Sequence, residues 1–212
     1  MTLTQEGTAA NTDVRPPSHP GVFRVERRPG AFNSELLSSK AFKEGEVIAR
    51  LEGLTKGPKA YSSVQCGTGE EDHVELNSDL LYMNHSCEPN VIVDVSSGNQ
   101  WEWHVRASKS IGEGESLCFF YPSTEWRMEQ AFDCRCGTKS CLGVIRGAFY
   151  VSREELSKRG FINKHIRTLV TIRDGGKNEE WWSRLGLVNV RNECYTVVTV
   201  LCVVLVMGNI IS

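Results

Sequence analysis

Short apolar runs bounded by turn-forming residues set the pattern of the chain from Val22 to Tyr121. Val47-Ile48-Ala49-Arg50-Leu51 follows the Lys43-Glu44-Gly45-Glu46 turn and predicts a buried strand. Val91, Val93 and Val95 share one face of a second strand. Trp101, Trp103 and Val105 alternate with Glu102, His104 and Arg106, the pattern of a half-buried strand. Ser96-Ser97-Gly98-Asn99 lies between these two and predicts a hairpin. Ser116 to Phe120 supplies a further strand. Many short strands with long irregular connections predict a small, mostly β fold with some α. Further on, Ser152-x-x-Glu155 forms a capping box for a helix expected to run toward Thr171, ended by Asp174-Gly175-Gly176.

The two ends differ from this pattern. Residues 1–20 hold few large apolar groups and read as a disordered tail. Thr196 to Ile211 is a run of sixteen uncharged residues rich in Val and Leu. Spanning a bilayer takes about 20 apolar residues, and Gly208 and Asn209 interrupt this run. A tail anchor with membrane contact through residues 196–211, a buried element and an artefactual end of the gene prediction all remain open readings.

Composition narrows the class. A length of 212 residues fits one domain with tails, and 40% apolar content suffices for a core. A net charge of −2 gives no reason to expect direct nucleic-acid binding. The N-terminus has no basic start followed by an apolar run, so no signal peptide is expected. The eight cysteines therefore fit a reducing compartment, nucleus or cytoplasm, and a metal site better than disulfides. Cys66, Cys118, Cys194 and Cys202 are left as buried or free thiols.

The other four cysteines carry the candidate chemistry. Cys134-Arg135-Cys136-Gly137 and Cys141 form a Cys-x-Cys-x4-Cys clip, but a closed tetrahedral zinc site needs four ligands. Cys87 stands 47 residues before Cys134, within Asn84-His85-Ser86-Cys87-Glu88-Pro89-Asn90. If Cys87 completes the set, one structural zinc ties a C-terminal flap to the Asn-His loop. Four unliganded buried thiols are the rival reading, against which the tight spacing weighs.

These motifs resemble those of the SET-domain protein lysine methyltransferases. Asn-His-Ser-Cys-x-Pro-Asn is similar to that family's central motif. Gly114-Glu115-Ser116-Leu117-Cys118-Phe119-Phe120-Tyr121 resembles its second motif, and Cys134 to Gly143 its zinc-binding post-SET segment. The three stand in the family's order, and the resemblance covers roughly residues 21–147.

The resemblance implies a β-clip fold, small curved sheets around a knot-like segment, with a C-terminal helix added. Its boundaries would be a SET domain at 21–126, a post-SET zinc segment at 127–147, a helical extension at 148–190 and the apolar tail at 195–211. It implies S-adenosyl-L-methionine as methyl donor and a lysine-bearing protein, such as a histone tail, as acceptor. A non-catalytic SET-fold interaction module is the alternative. Tyr121 would be the catalytic residue and would also touch the cofactor. Gly30, Ala31, Phe32, Asn84, His85 and Leu142 would contact the cofactor, and Tyr82 and Phe119 would line the lysine channel. Strand alternation sends Phe119 and Tyr121 to one side and Phe120 to the other. Asn90 would hold the turn after Pro89, while His73 and His104 read as structural histidines.

Four positions depart from the family pattern. The first-strand segment Pro29-Gly30-Ala31-Phe32 has one glycine where two are usual. Leu51 stands where tyrosine is common, Phe120 where aspartate is common, and Leu81 where arginine often precedes Asn-His. Residues 57–75 match the substrate-choosing insert and are acidic at Glu70-Glu71-Asp72, a solvated loop or an attraction for a basic peptide.

Overall fold

The computed structural model describes residues 16–30 and 32–175. The apolar tail at 196–211, Cys194 and Cys202 lie outside the described residues, as do residues 1–15, Ala31 and the extension beyond Gly175. Within the stretch expected to be disordered, Ser18 is tied to the body, its amide donating to Asp79 Oδ2 at 2.9 Å.

Strands are short and sheets small. β1 (Phe23–Glu26) pairs antiparallel with β2 (Glu35–Ser38). β3 (Val47–Arg50) begins after Gly45, whose φ of +82° closes the preceding turn at little steric cost. β4 (Thr55–Gly57), β5 (Ser63–Gln65) and β6 (His73–Glu75) form a separate sheet in the order β4-β6-β5. The insert is therefore an ordered hairpin, with exposed Glu70 and Glu71 at its tip.

β7 (Asn84–His85), β8 (Val91–Asp94), β9 (His104–Ala107) and β10 (Cys118–Phe119) build the centre. β8 and β9 pair antiparallel with Val93 opposite Val105, and β3 lies on the far side of β9. Val91, Val93, Val95, Val105 and Ala107 are fully buried, as the period-2 pattern requires. The strand expected from Trp101 starts three residues late, at His104. Asn99 Oδ1 accepts from the Trp101 amide at 3.2 Å and caps a 3-10 turn over Gln100–Glu102. That local bond takes the amide a ladder would need, and Trp101 is left 82% exposed.

β11 (Phe132–Asp133) and β12 (Val144–Ile145) close a ribbon around the clip. α1 (Arg153–Ser157) opens on the expected cap, Ser152 Oγ accepting from the Glu155 amide at 3.1 Å. The single helix expected toward Thr171 is instead two: Gly160, at φ +80°, breaks it, and α2 (Lys164–Arg173) follows. Gly175, at φ +80°, follows its end, where a helix stop was expected.

Two cores result. The larger gathers β1–β3, β8, β9 and the Leu76–Met83 segment. The smaller packs Phe120 against Ala148, Leu156, Ile162, Ile166 and Val170. Phe120 is 2% exposed: where the family pattern has a polar residue, this chain needs an apolar one to seat α1 and α2. Leu51 is likewise core, at 4% exposure.

Candidate active site

The site forms where β7 and β10 run side by side in parallel, Cys118 opposite Asn84 and Phe119 opposite His85. Asn90 stitches this crossing. Its Oδ1 accepts from the Cys118 amide at 2.9 Å, its Nδ2 donates to the Ser116 carbonyl at 2.8 Å, and its amide donates to the Cys118 carbonyl at 3.1 Å. An Asn supplies both a donor and an acceptor on one short side chain, which this crossing uses in full.

Tyr121 leaves the end of β10 into a 3-10 turn, and its hydroxyl donates to the Met83 carbonyl at 2.9 Å. Its carbonyl accepts from the Thr124 and Glu125 amides at 3.0 and 2.9 Å. Burial, helped by the nearby Cys118 and Glu125, pushes the phenol well above its ordinary range, so it stays protonated. Phe119 lies 4.7 Å from the Tyr121 ring, centroid to centroid, on the same side, while Phe120 turns into the smaller core. The alternation expected along this strand is present.

His85 faces Tyr121 edge-on at 5.2 Å. The Tyr121 amide donates to His85 Nδ1 at 3.2 Å, so the ring proton sits on Nε2, which points at Cys87 Sγ 3.3 Å away. Burial, then the charge of Arg159, lowers His85 to about 4, so the imidazole is neutral at physiological pH. Phe132, from the C-terminal ribbon, completes the group at 5.8 Å from His85 and 6.0 Å from Tyr121. Sequence reasoning missed Phe132, which sits alone in a polar stretch with no periodicity around it.

The four motif cysteines come together. The sulfurs of Cys87, Cys134, Cys136 and Cys141 all lie within 4.8 Å of one another, and Cys87 to Cys134 is 3.9 Å. A tetrahedron with Zn–S bonds of about 2.3 Å has edges of about 3.8 Å, so the donor set fits a zinc ion. Polar hydrogens already face the sulfurs. The Leu142 amide donates to Cys87 and the Gly143 amide to Cys141, each at 3.4 Å. Thr138 Oγ1 lies 3.2 Å from Cys136. Burial opposes ionisation of Cys87, Cys134 and Cys136 and raises the first two, whereas hydrogen bonds from Thr138, Cys87 and Cys134 lower Cys136. Donors aimed at ligand sulfurs are the usual support for a thiolate metal site.

The remaining expected residues are more scattered. Asn84 Nδ2 donates to the Ser34 carbonyl at 3.0 Å and ties the site to the start of β2. Leu142 packs on the smaller core and borders an open cleft of about 320 Å³, walled also by Pro122, Tyr150 and Glu155. Tyr82 precedes Met83, its hydroxyl accepting from Arg27 Nη1 at 3.2 Å. Gly30, at φ +102°, sits in a turn closed by Asn33 Nδ2 donating to the Pro29 carbonyl at 2.7 Å. Phe32 is 72% exposed and meets Tyr61 edge-on at 5.7 Å, so among the described residues its ring partner is the insert, not the Tyr121 group.

Glu125 was also missed. Its Oε1 accepts from the Gln65 amide at 2.9 Å and from Thr124 Oγ1 at 3.1 Å, while Gln65 Oε1 accepts from the Trp126 amide at 2.8 Å. This reciprocal clasp joins the insert sheet to the segment leaving Tyr121. Burial raises the Glu125 carboxyl to about 7.

The SET domain family pattern matches residues 34–122. Methyltransferase flvH of Aspergillus flavus is 37% identical over 155 residues, 73% of this chain and 84% of that protein. The histone-lysine N-methyltransferase ash1 of Drosophila melanogaster is 38% identical over 77 residues, 36% of this chain and 4% of that protein. An H3 lysine-36-specific histone-lysine N-methyltransferase of Yarrowia lipolytica is 30% identical over 118 residues, 55% of this chain and 15% of that protein. The chain thus spans a small part of the histone-directed relatives and most of flvH. With Asn84-His85 and Cys118-Phe119 paired at one crossing inside the matched segment and a relative matched along most of both chains, this protein belongs to the SET-domain methyltransferase family.

Proposed function

We propose that this chain transfers a methyl group from S-adenosyl-L-methionine to the side-chain amine of a lysine in a protein, with a histone tail the first candidate. The observation that carries the reading is the parallel pairing of Asn84-His85 with Cys118-Phe119, which sets Tyr121 beside the Asn-His pair. When bound, the cofactor supplies an activated methyl on a sulfonium, so the protein has mainly to position and desolvate the amine. The protein's own part would be to present the amine lone pair to that methyl and to let the surplus proton leave to solvent.

Each residue has a part in that reaction. Tyr121, protonated and fixed by Met83, offers its phenol oxygen to the amine and to the polarised methyl hydrogens. Neutral His85 adds no positive charge that would repel an incoming ammonium. Phe119 and Phe132 make the surroundings apolar, which favours the neutral, nucleophilic amine. Phe119 has no hydroxyl to hold a water in the amine's way, which suits addition of two or three methyls. Asn84, the backbone around His85 and Leu142 would hold the cofactor. A zinc on Cys87, Cys134, Cys136 and Cys141 would be structural, since four thiolates leave no open position.

The relative matched over most of its length is described as a methyltransferase without a stated acceptor. The acceptor panel therefore includes histones, cell-extract proteins and free diamines, incubated with methyl-labelled cofactor. Label on protein lysine supports the proposal. Label confined to small amines overturns the acceptor class, and cofactor binding without any transfer favours a non-catalytic module.

A further inference from the structure

One side chain of the C-terminal extension, Arg159, reaches the peptides that carry the cysteine clip. Arg159 lies between α1 and α2 and is 9% exposed. Its Nη1 donates to the Cys87 carbonyl at 2.9 Å and to Ser140 Oγ at 2.8 Å. Its Nη2 donates to the Ser140 carbonyl at 2.7 Å and pairs with Glu155 of α1. Ser140 immediately precedes Cys141, and its hydroxyl donates to Glu88 Oε1 at 2.8 Å. One guanidinium thus holds the peptide of Cys87 and the peptide beside Cys141, from two segments far apart in sequence.

Arginine suits this place and lysine does not. A planar fork with several fixed donors can reach two carbonyls, a hydroxyl and a carboxylate at once, whereas an ammonium is a compact point charge. Burying such a charge is tolerable because both Nη groups find acceptors; Nε is buried without one among the described residues. The guanidinium also stands 5.7 Å from the Phe120 ring, on the core that seats Leu142.

We propose that Arg159 is a positioning residue for the cysteine clip, so that metal retention and the cofactor cleft both depend on the extension. This rests on the zinc reading above. The metal does not touch Arg159; the residue acts by holding Cys87 and the Ser140-Cys141 peptide in register, as outer partners of metal ligands do.

The test compares zinc transfer from the full-length chain to a colorimetric chelator for wild type, Arg159→Lys, Arg159→Met and Val170→Ala. Val170 is buried in the same small core, so Val170→Ala loosens the extension without removing the guanidinium. Both Arg159 variants should release zinc about 10-fold faster or more, with excess zinc restoring cofactor binding. Val170→Ala should lower the melting temperature while leaving zinc transfer at the wild-type rate. Wild-type transfer rates in both Arg159 variants overturn the proposal. So does acceleration in Val170→Ala matching theirs for the same loss of melting temperature, because general loosening would then explain the effect. Wild-type protein purified without zinc overturns the metal reading itself, and this proposal with it.

Discussion

Replacing Glu125 by Gln should remove a pH dependence that the fold imposes on itself. An unfolded glutamate ionises near 4.5, whereas burial holds this one protonated to about 7. Between those values the folded state binds more protons than the unfolded chain, so stability falls as pH rises through the window. The contribution is fully present below 4.5 and lost above 7. That gap corresponds to about 3 kcal/mol at most, and about 2 kcal/mol once some solvent access at this half-buried residue is allowed for. Two buried histidines act in the opposite sense. His85 and His165, both lowered to about 4 mainly by burial, cost stability as pH falls below their ordinary value of 6.5. A wild-type curve mixes these slopes, so the informative quantity is the difference between wild type and Glu125→Gln at each pH. The Gln carbonyl can still accept from Gln65 and Thr124, and its amide mimics the protonated acid. Thermal unfolding from pH 4.5 to 8 should show the variant gaining on wild type by about 2–3 kcal/mol, or about 4–12 °C in Tm for a chain of this size. A constant difference across that range, or one of opposite slope, would refute the burial of Glu125 as an uncharged acid.

Further substitutions test the site and the smaller core. Tyr121→Phe removes the hydroxyl bonded to Met83; methyl transfer followed by mass spectrometry should fall about 100-fold or more, with cofactor affinity nearly unchanged. Phe120→Ala empties the middle of the small core and should cost about 3–5 kcal/mol, read as a lower denaturation midpoint. Asn163→Ala should cost about 2–4 kcal/mol in the same assay. That buried side chain donates to the Val93 and Ser123 carbonyls at 2.9 and 3.0 Å and accepts from the Val95 amide at 2.8 Å, partners it would leave unpaired.

The candidate site was legible as a cluster of motifs because each motif is local. Three cysteines within eight residues, Asn-His beside a fourth, and an aromatic run ending in Tyr121 are each readable as short strings. The valines of β8 were legible for a similar reason, since alternation reports directly on burial. Single buried polar residues leave no such trace. Arg159, Glu125 and Asn163 look like ordinary surface residues in sequence, and only the fold brings acceptors and donors around them. Phe120 read as a departure from the family pattern until the second core showed what it packs against. Boundaries failed where one residue's local chemistry overrode periodicity: Asn99 turned Trp101 out of its strand, and Gly160 cut the C-terminal helix in two.

The most direct test joins metal and cofactor in one protein. Zinc content by elemental mass spectrometry and calorimetric titration with S-adenosyl-L-homocysteine should be measured on wild type and Cys136→Ser. One zinc per wild-type chain, with metal and cofactor affinity lost together in the variant, is the expected result. A zinc-free variant that binds the cofactor as tightly as wild type would show that the clip does not shape the pocket.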